Sequence, residues 1–114
     1  MGHKVADDVD SRQALTREAA KSIAATLQAL ATPSRLLILD RLRHSPATVG
    51  ELVDAVGMEQ PAVSQQLRLL RNLGLVTGER EGRSIVYALH DDHVAQLLDE
   101  AIYHAEHLQA PRQP

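Results

Sequence analysis

Apolar residues recur every three or four positions along most of this 114-residue chain, the period of helices that bury one face. Ile23, Leu27 and Leu30 fall on one stripe and predict a helix from about Thr16 to Ala31. Thr32-Pro33 interrupts it, and Pro33 suits the first position of a second helix over 33–43, where its missing N–H is not needed. Ser45-Pro46 ends that helix. Thr48-Val49-Gly50-Glu51 has the form of a capping box and opens a short third helix over 48–55, followed by a turn at Gly57. Pro61 opens a fourth helix that stops at Gly74. The pattern then changes. Leu75-Val76-Thr77 and Ser84-Ile85-Val86-Tyr87-Ala88-Leu89 are β-rich and flank Glu79-Arg80-Glu81-Gly82-Arg83, which predicts a hairpin with a charged tip. A final helix over 91–108, with Asp91 or Asp92 as its N-cap, carries Val94, Leu97, Leu98, Ala101, Ala105 and Leu108 on one stripe, a seam suited to a second copy. Residues 1–14 are polar and acidic and read as a flexible arm, and 109–114 as a disordered tail. The expected fold is one mainly α domain over 15–108 with a small β-hairpin.

Composition narrows this picture. Apolar residues make up 44% of the chain, but there is no Phe and no Trp. The core must come from Leu, Ile, Val and Ala, and so small an aliphatic core gains from a dimer interface. The absence of cysteine excludes disulfides and every thiolate metal site. Apolar runs such as Leu36-Leu37-Ile38-Leu39 fall far short of a membrane span, and no secretion signal opens the chain, so a cytoplasmic protein is expected. The net charge of −3 is unevenly spread. Residues 33–43 and 60–83 each carry +2, whereas 91–107 carry −5 before the histidines are counted. The middle of the chain can face phosphates while the last helix attracts cations.

The stretch from Thr48 to Leu73 is helix, short turn, helix, the pattern of a helix-turn-helix whose second helix enters the major groove of double-stranded DNA. Val63, Leu67 and Leu70 should face the core, which turns Ser64, Gln65, Arg68 and Arg71 outward. Gln and Arg can read purine edges through paired hydrogen bonds, and Ser can bond bases or phosphates. Any surface helix needs an outward polar face, so the hairpin behind it carries much of the weight. A wing tipped with Arg80 and Arg83 suits the backbone or minor groove beside the same site. Thr32, Ser34 and Arg35 at the start of the second helix offer a phosphate site, with an ordinary helix cap as the alternative.

The last helix carries Asp91-x-His93 and, beyond ten intervening residues, His104-x-x-His107. His93 and His104 are roughly 16 Å apart along a straight helix, while metal–ligand bonds are only about 2 Å long. One ion cannot use both pairs of one chain. Eleven residues nevertheless return to within about 20° of the same face. Two antiparallel copies of the helix would bring Asp91 and His93 of one chain to His104 and His107 of the other, twice per homodimer. The alternative is a plain helical seam with histidines at its edges. His44 and His90 fit no such pattern and read as surface residues.

The run Ala31-Thr32-Pro33-Ser34-Arg35-Leu36, the segment from Ala62 to Val76 and the wing Gly82-Arg83-Ser84-Ile85-Val86-Tyr87 resemble the ArsR/SmtB family of metal-responsive winged-helix repressors. The resemblance covers about residues 20–108. It implies a winged helix-turn-helix that dimerises through its first and last helices and binds palindromic operator DNA. Its metal site on the last helix uses Asp and His near the start and His near the end on the partner chain, which are the places of Asp91, His93, His104 and His107. The family's other common site needs cysteines on the helix over 48–55, which has none.

Three imidazoles and a carboxylate suit Zn(II), Co(II) or Ni(II). Zinc would be satisfied by four ligands, whereas nickel and cobalt often take six. The start Met1-Gly2-His3 offers two more if Met1 is removed, through the free amine of Gly2 and the imidazole of His3. That start, with the 94–103 stretch and the paired histidines, resembles the nickel- and cobalt-sensing actinobacterial branch and makes Ni(II) the expected ion. Two other readings remain open at this point. One is a winged-helix regulator controlled by a co-regulator protein, with a vestigial metal site. The other is a small zinc hydrolase, which would need an open coordination position and a general base, with Glu100 as the candidate.

Overall fold

The computed structural model describes residues 14–109, with side chains through Glu106. The expected N-terminal arm, apart from its last residue, and the expected tail beyond Gln109 lie outside the described residues. The element order is α1 (Arg17–Ala29), α2 (Pro33–His44), β1 (Ala47–Thr48), α3 (Val49–Val56), α4 (Gln60–Asn72), β2 (Val76–Glu81), β3 (Ser84–Leu89) and α5 (Asp92–Gln109). The described residues form a winged helix: five helices with a three-stranded antiparallel sheet in the order β1-β3-β2. No single helix among the described residues is long and apolar enough to cross a membrane.

Local chemistry sets the boundaries. Thr16 and Thr32 cap α1 and α2, their hydroxyls accepting from the N–H groups of Ala19 and Arg35. The capping box of α3 is complete: Glu51 N–H donates to Thr48 Oγ1 at 3.2 Å, and Thr48 N–H donates to Glu51 Oε1 at 2.9 Å. α4 closes with Leu75 N–H donating to the Leu70 carbonyl at 2.9 Å, across a Gly74 at φ 76°. Asp91 caps α5 by accepting from the N–H groups of His93 and Val94 at 3.0 and 3.4 Å.

The core lies where α2, α3, α4 and α5 meet the sheet. Ile38 and Leu39 of α2, Leu52 of α3 and Val63, Leu67 and Leu70 of α4 are buried, together with Val94 and Leu98 of α5. The expected inward face of α4 is therefore the observed one. Within one chain the predicted stripe on α1 is left largely open. Only Ala29 is buried on it, and Ile23 and Leu27 remain 44% and 50% exposed. The stripe on α5 also divides, because Val94 and Leu98 fill the chain's own core while Leu97, Ala101 and Ala105 stay exposed.

The hairpin differs in two respects from the expected one. Leu75 precedes the first strand, and that strand runs on to Glu81, so the loop is only Gly82-Arg83. Gly82 at φ 63° supplies the positive φ that so tight a turn requires. β2 lies at the sheet edge, where its charged residues Glu79, Arg80 and Glu81 are solvated and discourage pairing with other chains. The sheet also gains β1, whose Ala47 and Thr48 pair with Tyr87 and Val86. Two residues show no alternation, so this strand leaves no pattern in the sequence.

Candidate nucleic-acid interface and metal centre

α4 presents Gln65, Arg68 and Arg71 to solvent, with Ser64 half-buried beside them. Between this face and β3 lies a polar cleft of about 370 Å³, lined by Ser64, Arg68, Arg71, Asn72 and Tyr87. Tyr87 sits opposite Gly78 in the register of the wing. A Cβ built on Gly78 would come within 2.9 Å of the Tyr87 ring. The ring therefore lies across the glycine and is held against the cleft. Tyr87 and Asn72 are cleft residues that sequence reasoning missed, and the Gly78 opposite Tyr87 was the signal that could have found them. Arg80 and Arg83 are exposed on the wing, in β2 and in its turn.

The arginines fall into two groups. Those of α2 are engaged within the chain. Arg41 donates to the carbonyl and hydroxyl of Ser45. Arg43 pairs with Asp40 at 2.6 Å and with Asp99 of α5. Its guanidinium pKa is held above the ordinary value, chiefly by the hydrogen bond to Asp40; partial burial acts against this, and the charges of Asp40, Asp99 and Glu106 add to it. Arg35 donates to the Ala29 carbonyl at 2.8 Å, to the Gln28 carbonyl at 3.4 Å and to Gln66 Oε1 at 3.2 Å. Of the expected phosphate group, Thr32 is the N-cap of α2, Ser34 is half-buried in its first turn, and Arg35 is turned inward. By contrast, Arg68, Arg71, Arg80 and Arg83 form no ion pair with a described residue, which leaves their charge available to phosphates and base edges.

At the other end of the chain, Asp91 Oδ2 and His93 Nδ1 are 3.3 Å apart. Two ligands at about 2 Å from a tetrahedral ion are separated by about 3.3 Å, so the pair fits an ion in place of the shared proton. Partial burial raises the Asp91 pKa, but the hydrogen bonds from the His93 ring and from the N–H groups of Val94 and His93, with the charge of His93, outweigh it and hold the carboxyl below its ordinary value. The carboxylate is thus ionised and oriented by the start of α5. His104 is exposed eleven residues further along the same helix. His107 lies in α5, but its side chain is outside the described residues, as are Gly2 and His3. Among the described residues, no three metal-capable side chains converge within one chain.

The pattern of bacterial regulatory proteins of the arsR family matches residues 32–77, from the N-cap of α2 into β2. The chain is 64% identical over 108 residues to the HTH-type transcriptional regulator NmtR of Mycobacterium tuberculosis, covering 95% of this chain and 90% of that protein. It belongs to the arsR family. The solution structure of apo-NmtR superposes with a TM-score of 0.72 at 63% identity, over 90% of this chain and 89% of that one. A homodimeric winged helix-turn-helix DNA-binding domain from Mycobacterium bovis superposes with a TM-score of 0.76 at 32% identity, over 89% of this chain and 96% of that one. As an arsR-family protein with this winged helix, the chain is a transcriptional regulator and not an enzyme.

Proposed function

We propose that this regulator works as a homodimer in the cytoplasm and that a divalent metal ion, Ni(II) foremost and Co(II) or Zn(II) otherwise, controls its grip on palindromic operator DNA. The observation that carries the reading is the oriented Asp91–His93 pair at the start of α5, with His104 on the same helix and the guanidinium groups of α4 and the wing forming no ion pair with a described residue.

Ser64, Gln65, Arg68 and Arg71 read the major groove, and Arg80 and Arg83 hold the adjacent backbone. Thr32 and Ser34 lie at the start of α2, where its first N–H groups can meet a phosphate. Self-association is supported by the apolar faces left open on α1 and α5, at Ile23, Leu27 and Leu97, and by an open groove of about 600 Å³ between α2 and α5. Asp91 and His93 of one protomer, with His104 and His107 of its partner, would hold the ion; Gly2 and His3 would complete a six-ligand set. When bound, the ion supplies a bridge between the two α5 helices. The recognition helices must sit about 34 Å apart to enter successive grooves, so a bridge that favours another spacing weakens DNA binding. Visible absorption during a nickel titration tests the ligand set. The native dimer should saturate at one ion per protomer and His104→Gln should lose the ligand-field bands. Identical spectra for the two proteins would remove His104 from the site.

A further inference from the structure

Arg35 is the residue whose placement departs most from the role its sequence position suggests. It sits in the first turn of α2, yet its guanidinium leaves the helix N-terminus and reaches two other helices. Nε and Nη2 donate to the Ala29 and Gln28 carbonyls at the end of α1. These belong to the last turn of a helix, where a cation is favoured by the helix dipole; the Gln28 carbonyl also accepts from the Ala31 N–H at 3.0 Å. Nη1 donates to Gln66 Oε1 in the middle of α4. Ala29 is the one buried residue of α1, so the attachment of that helix to the body rests largely on this junction and on the half-buried Leu30. Gln66 stands between Gln65, which faces DNA, and Leu67, which fills the core. A tether at this position opposes rotation of α4 about its axis. Base-edge hydrogen bonds need their donors within about 0.5 Å and 10–20° of the working geometry.

We infer that Arg35 is a positioning residue for DNA reading: its guanidinium joins the end of α1 to Gln66 and sets the angle at which α4 enters the groove, without touching phosphate. α1 carries the open face Ile23 and Leu27, so the same tether hands the orientation of the dimer helix to the reading helix. This rests on α4 being the helix that reads DNA.

The test uses the full-length protein and a duplex that it has itself selected from a random-sequence pool, with a scrambled duplex of equal length as the control. Failure to select any sequence would overturn the reading of α4; the comparisons below address Arg35 alone. Fluorescence anisotropy is measured over a range of salt concentrations for the native protein, Arg35→Ala, Gln66→Ala and the double variant. Each single variant should bind the selected duplex about tenfold more weakly, equivalent to about 1.4 kcal/mol. The double variant should be no weaker than the worse single one, because both remove the same bond. Affinity for the scrambled duplex and the dependence on salt should stay as in the native protein. A salt slope lowered by about one, with both duplexes weakened alike, would make Arg35 a phosphate contact and overturn the inference. Additive losses would overturn it as well. Should Arg35→Ala fail to fold, Gln66→Ala decides the matter, and unchanged affinity for the selected duplex would refute the tether.

Discussion

Adding one methyl group to the wing, by Gly78→Ala, tests whether the Tyr87 ring is held where the fold places it. Gly78 has no positive φ, so alanine meets no backbone penalty there. Its Cβ would lie 2.9 Å from Tyr87 Cε1 and 3.2 Å from both Tyr87 Cδ1 and Ile85 Cγ2. Replacing a strand glycine ordinarily gains about 0.5–1 kcal/mol from the unfolded chain's lost freedom. Overpacking of this kind costs about 1–3 kcal/mol. The ring belongs to a side chain that is 9% exposed, with its neighbours packed around it, so the clash should win by about 1–2 kcal/mol. At about 4–8 °C per kcal/mol for a domain of this size, Tm should fall by roughly 4–16 °C. Thermal unfolding followed by circular dichroism at one fixed protein concentration measures this, the fixed concentration being needed because a dimer's Tm depends on it. Tyr87→Leu in the same background removes the ring that is struck. The double variant should therefore lose less than the sum of the two single changes. A Gly78→Ala protein as stable as the native one, or more so, would refute the packing argument and with it the placement of Tyr87 against the cleft.

Replacing Asp91 removes a cap whose carboxyl is held below its ordinary pKa of 3.8. A depressed carboxyl stabilises the fold above its unfolded pKa and loses that contribution as pH falls through the folded value. The metal-free Asp91→Ala protein should therefore be less stable than the native one at neutral pH, with the gap closing below pH 3.8 in urea titrations; a gap independent of pH would mean that ionised Asp91 caps nothing. Arg68→Ala should weaken specific binding by about 1–3 kcal/mol if Arg68 reads a base. Anisotropy at fixed salt checks this, and an unchanged Kd would remove Arg68 from the readout.

Much of the fold was legible because helix periodicity and caps are local signals. Val63, Leu67 and Leu70 marked the inner face of α4, and Thr48 with Glu51 marked the start of α3. What escaped depends on contacts distant in sequence. β1 exists because Ala47 and Thr48 meet a strand some forty residues later. Arg35 reads as a phosphate ligand from its place at a helix start, but the end of α1 and Gln66, thirty-one positions away, draw it inward. The basic balance of 33–43 misled in the same way, since Arg41 and Arg43 are bound within the chain. The metal-capable spacing was visible because α5 converts sequence separation into a fixed distance and face. Asp91 and His93 lie 3.3 Å apart at the start of that helix.

The central claim is that metal and DNA oppose one another on a single dimer. It is tested most directly by measuring the Kd for the selected duplex with and without saturating Ni(II), and the Kd for Ni(II) with and without that duplex, at one salt concentration. Nickel should weaken DNA binding by a factor within about 5–150, and the duplex should weaken nickel binding by the same factor, because coupling between two sites is reciprocal. A dimer that binds both ligands with neither affinity altered by the other would contradict the account.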